Sequence, residues 1–69
     1  MASVEEIKEF LKDNGVNVPD RIKSSEGLRN YLKSQLVILA NSIFSESMRL
    51  IMKKKKFEII DKALEMIEQ

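Results

Sequence analysis

The amino-acid sequence predicts an all-α chain of short helix, long helix and short helix, assembled as a handshake-type helical dimer. Three observations lead to that class. Apolar residues recur at helical spacing in three stretches, and Gly15, Pro19 and Gly27 are the only strong helix breakers. The middle stretch is also apolar over too much of its circumference for two short neighbours to shelter it. A chain of 69 residues is a single helical domain, 1–69, near the lower size at which one core suffices.

The first helix is placed at about residues 4–14. Ser3 and Glu6 have the spacing of a capping box, in which the hydroxyl takes an orphan amide and the carboxylate reaches back. Val4, Ile7, Phe10 and Leu11 form one apolar stripe. Glu5, Glu6 and Glu9 sit toward the positive end of the helix dipole and Lys12 near the negative end. Asn14-Gly15 ends the helix, because glycine takes the left-handed conformation cheaply. A connector follows over Val16 to Ser25, where Pro19 pushes Val18 out of the helical region and Pro19 to Ile22 can form a single turn.

A second helix is expected over about 25–53, starting near Ser24 or Ser25. That is about 28 residues and roughly 42 Å. Leu28, Leu32, Leu36, Leu39, Ile43 and Leu50 make one stripe, and Val37, Phe44, Met48 and Ile51 a second beside it. A break is expected at Lys53–Lys56, where four like charges repel and suit a helix C-terminus. The third helix, about 57–68, carries Ile60, Ala63, Leu64 and Ile67 on one face.

Leaving Val37, Leu39, Ile43 and Phe44 half wet would cost several kcal/mol at roughly 25 cal/mol per Å². A second long helix crossing the first removes that cost. The expected dimer interface is therefore Leu36, Val37, Leu39, Ile43, Phe44, Met48 and Ile51, in a homodimer or higher homo-oligomer. Asn41 and Ser42 lie amid these residues, either facing water or setting register across the pair. Met48, Met52 and Met66 are expected to fill gaps in the core, with an adaptable binding surface as the rarer use.

The inventory for catalysis is thin. With no cysteine and no histidine, the chain lacks a thiol nucleophile, the usual general base and the commonest zinc ligands. No glycine-rich phosphate loop is present, so no enzyme, metal or cofactor is expected. The opening residues are acidic where a signal peptide is basic. The apolar run from Leu36 to Met52 is interrupted by polar side chains, so no membrane span is expected. The expected setting is cytoplasmic, or nuclear and nucleoid-associated.

Net charge is +1, yet its distribution is uneven. Residues 1–20 carry −3, residues 21–56 carry +7 and residues 57–69 carry −3. Lys53, Lys54, Lys55 and Lys56 are the chief candidates for contacts to duplex DNA, with Arg21, Lys23 and Lys12 secondary. The mechanism would be counterion release at phosphates without base readout. The plainer reading of the run is a solvated helix end.

The order of elements resembles the histone fold, particularly the small archaeal histones. Ile7 to Gly15 is similar to that family's first helix and its Lys-Asp-x-Gly end. Val16 to Asp20 looks like the first loop, and Tyr31-Leu32 through Leu36, Ala40, Ile43 and Leu50 like the long helix. Lys54-Lys55-Lys56-Phe57 would be the second loop, with Lys54 and Asp61 at the spacing of the family's loop-to-helix ion pair. The resemblance implies clasped long helices and paired loops facing phosphates. The chain departs from the pattern at Lys56, which stands in place of a threonine, and at Glu9 and Asn17, which stand in place of basic residues. Val16 to Leu36 also looks something like a LEM or SAP-type helix–loop–helix. The rival expectation is a dimerisation or adaptor module that engages another protein and leaves the lysines merely solvated.

Overall fold

The computed structural model describes the backbone of residues 2–41 and 47–69 and the side chains of residues 2–41 and 51–69. It is all-helical: α1 is Val4–Asp13, α2 is Ser25–Asn41 and α3 is Ser47–Glu68, with no strand among the described residues.

Local chemistry sets both ends of α1. Ser3 Oγ accepts from the Glu6 amide at 3.1 Å, and Glu6 Oε1 accepts from the Ser3 amide at 3.3 Å, closing the capping box. At the other end Gly15 adopts φ +81°. Its amide donates to the Lys12 carbonyl at 3.0 Å, and the Val16 amide donates to the Leu11 carbonyl at 2.8 Å. Those two bonds are the Schellman pair, accompanied by the usual apolar contact, since Leu11 and Val16 are both buried in the core.

The connector is tied down along its length. Pro19 to Ile22 closes one turn through a 3.1 Å bond from the Ile22 amide to the Pro19 carbonyl. Lys8 Nζ then donates to the Ile22 carbonyl at 2.7 Å, holding this segment against α1. Ser24 starts α2 by accepting from the Gly27 amide at 3.0 Å.

The core is Ile7 and Leu11 from α1, Val16 from the connector, Leu28 and Leu32 from α2, and Ile60, Ala63 and Ile67 from α3. Each set follows helical spacing, so three stripes meet along one line. Arg29 near the start of α2 pairs with Glu68 at the end of α3, at 3.2 Å. The two helices therefore run antiparallel. Glu68 is exposed and Arg29 half-buried, so solvent still screens the pair and it orients more than it stabilises.

Two sequence expectations change here. The break expected at Lys53–Lys56 does not exist, because α3 runs through it from Ser47 to Glu68. Lysine is a good helix former, and continuity with the amphipathic segment after Phe57 outweighs the local repulsion. The order of lengths changes with it. As described, α2 has 17 residues and α3 has 22, so the long helix is the third and the stretch 47–53 belongs to it. The side chains of Ile43, Phe44 and Met48 lie outside the described residues.

Candidate docking cleft and its lysines

The core does not extend along the whole of α3. Its inward stripe, read back from Ile67 through Ala63 and Ile60 at steps of three and four, arrives at Lys56 and then Lys53. Apolar side chains are buried against the other helices at one end of this stripe, whereas at the other Lys53 is half-buried and Lys56 exposed. Lysine heads are strongly hydrated, so α3 cannot close onto its neighbours there. A cleft of about 570 Å³ opens at that point.

Its walls come from all three helices. Asn14 and Gly15 contribute the end of α1, Leu39 the far part of α2, and Met52, Lys53, Lys55, Lys56 and Ile59 the first half of α3. Met52, Lys56 and Ile59 follow one another at four and three residues and so share a face of α3. Leu39 and Ile59 are half-buried against the core, while Lys55 and Lys56 stand exposed at the rim. No acidic residue lines the cleft among the described residues.

Four large apolar side chains of α2 and α3 are exposed, and one of them, Met52, lines the cleft. Val37 is 59% exposed, Ile38 60%, Ile51 60% and Met52 66%. Of the expected dimer-interface residues with described side chains, Val37 and Ile51 are exposed and Leu36 and Leu39 half-buried. Met52 is on the surface rather than filling the core, whereas Met66 packs against the core as expected. Asn41 is exposed and donates to the Val37 carbonyl of its own helix at 3.0 Å, so its amide is engaged within its own turn.

The basic residues are spread apart. Successive positions turn by about 100° round a helix, so Lys53 to Lys56 splay about the α3 axis, and Lys54 does not line the cleft. Lys54 and Asp61 lie about 10 Å apart along that axis, too far for the ion pair that a loop at residues 54–57 would permit. Arg21 and Lys23 sit exposed on the connector just before α2. The Arg29–Glu68 pair places that end of the molecule beside the end of α3, about 18 Å along the helix from Lys56. Lys12 borders a second recess together with Glu5, Glu9 and Asp20, where carboxylates offset its charge.

Ile38, Met52 and Ile59 are the cleft-lining or exposed apolar residues that periodicity does not single out as interface. Ile38 falls outside both expected stripes of α2, and Ile59 flanks the core stripe of α3. The signal was present in α3 as the change from isoleucine to lysine along one stripe.

No helix among the described residues is long and apolar enough to cross a membrane. The described residues also hold no cluster of acidic side chains suited to a metal ion. Comparison with protein families, with curated proteins and with solved structures returns no match to this chain.

Proposed function

We propose that this chain is a helical interaction module that acts by burying its uncovered apolar end against another polypeptide. One observation carries the reading. Met52, 66% exposed, lines an open cleft with the half-buried Leu39 and Ile59, and Val37, Ile38 and Ile51 of the same two helices are each more than half exposed outside it. Singly exposed apolar residues are ordinary, but a concavity lined by apolar side chains is the usual form of a binding surface. The absence of histidine and cysteine agrees with a binding role rather than a catalytic one.

Light scattering coupled to size exclusion tests it, with the chain at rising concentration and mixed with amphipathic helical peptides. A self-complex or a peptide complex should form, and Ile51→Lys should abolish it while leaving the far-ultraviolet circular dichroism unchanged. A chain that stays monomeric and binds no peptide at any concentration defeats the reading.

A second reading is favoured by the exposure of Lys54, Lys55 and Lys56 on one turn of α3. Here a histone-like homodimer holds duplex DNA by phosphate neutralisation, without sequence preference. Titrating a short duplex at rising salt separates the two. Binding that weakens steeply with salt and is lost in the Lys54→Gln, Lys55→Gln, Lys56→Gln variant supports DNA contact. No binding at low ionic strength removes it.

A further inference from the structure

We propose that the cleft between α2 and α3 receives an acidic amphipathic helix, its apolar stripe on Leu39, Met52 and Ile59 and its carboxylates on Lys55 and Lys56. The inference rests on the docking reading above and names the chemistry of the partner.

Charge complementarity decides among occupants. The floor is apolar, so the occupant needs an apolar stripe to displace water from it. The rim carries the exposed Lys55 and Lys56, with no acidic lining residue among the described ones. A helix with glutamates or aspartates beside its apolar stripe satisfies both features, and a neutral or basic helix satisfies only the first.

A second copy of this chain fits poorly on the same face. In a two-fold pair the same patch is buried on both copies, so Lys55 and Lys56 of each would gather in one interface. The acidic groups of α3 described nearest the rim, Glu58 and Asp61, do not line the cleft. Such a pair gathers like charge around a desolvated centre, which opposes association. A small amphipathic anion is the remaining occupant that the floor and rim admit, and the binding test includes it.

Fluorescence anisotropy with labelled short peptides of one apolar stripe tests this, the stripe flanked by glutamates in one and by lysines in the other. The acidic peptide should bind to the full chain, and the lysine peptide should not. Affinity should fall as salt rises, because exposed charges are screened. In the Lys55→Gln, Lys56→Gln variant it should drop about fivefold or more, with helicity retained because glutamine is also a good helix former. Equal binding of both peptides, or undiminished affinity in the double variant, overturns the assignment. Binding of decanoate alone, with neither peptide retained, also overturns it. A salt-enhanced dimer lost on Ile51→Lys would overturn the acidic partner while leaving the docking reading intact. Absence of every complex would end both.

Discussion

At the scale of single residues, the two ends of the molecule should answer mutation very differently. Leu11 and Leu32 have no exposed surface, and truncating such leucines to alanine costs about 2–5 kcal/mol through lost transfer energy and an unfilled cavity. A domain of this size has a comparable total stability, of order 0.05–0.15 kcal/mol per residue. Leu11→Ala and Leu32→Ala should therefore lower the urea midpoint severely or unfold the chain. Val37→Ala, made where the side chain is mostly in water, should leave that midpoint almost unmoved. Gly15 gives a backbone counterpart. Its φ of +81° lies in the left-handed region, and a Cβ there would meet nothing within 4 Å. Gly15→Ala should thus show the conformational cost by itself, about 1–2 kcal/mol, in thermal unfolding followed at 222 nm. Gly15→Asn should lose less, because asparagine tolerates that region better.

At the scale of elements, the continuity of α3 through the lysine run is the feature with the clearest test. Proline inside a helix removes a hydrogen bond and clashes with the preceding turn, costing about 3 kcal/mol or more, whereas an exposed inter-helix connector tolerates it. Lys55→Pro should therefore reduce helical ellipticity and stability, while Lys55→Ala preserves both. A Lys55→Pro chain as stable as its parent would place a connector at that point. Much of this architecture was legible in the sequence. Ser3 with Glu6 and Asn14-Gly15 announced both ends of α1. The spacing of Leu28 and Leu32, and of Ile60, Ala63 and Ile67, named most of the core. The α2–α3 division was not legible, because no glycine or proline lies between Gly27 and Gln69. With no breaker to read, four adjacent like charges looked like the weakest point. In the folded chain their mutual repulsion is screened by water and is small beside the helical continuity it would have to interrupt. The candidate cleft was legible only in part. Periodicity marked Val37, Leu39 and Ile51 as needing cover, but which lysines face inward depends on the register of α3 against the core.

At the scale of the whole molecule, packing is graded from one end to the other, and the gradient should govern its opening motions. Around Leu11, Leu32, Ile60 and Ala63, three helices share a closed core. Toward Val37 and Ile51 the same helices are half in water, and lysines replace isoleucines on the inward stripe of α3. Regions with few buried apolar contacts open locally at free energies below that of global unfolding. Amide hydrogen exchange should therefore show the slowest amides at Ile7–Leu11, Leu28–Leu32 and Ile60–Ala63. Those at Leu36–Asn41 and Ile51–Lys56 should exchange faster, by sub-global opening. A docked acidic helix binds the closed form alone, so it should slow exchange at those two segments as its concentration rises above its dissociation constant. The core amides, which open only with global unfolding, should slow by no more than the same linkage allows. Uniform protection along α3 in the free chain would contradict the gradient. Protection gained instead at Arg21, Lys23 and the start of α2 would place the partner at the opposite end of the molecule.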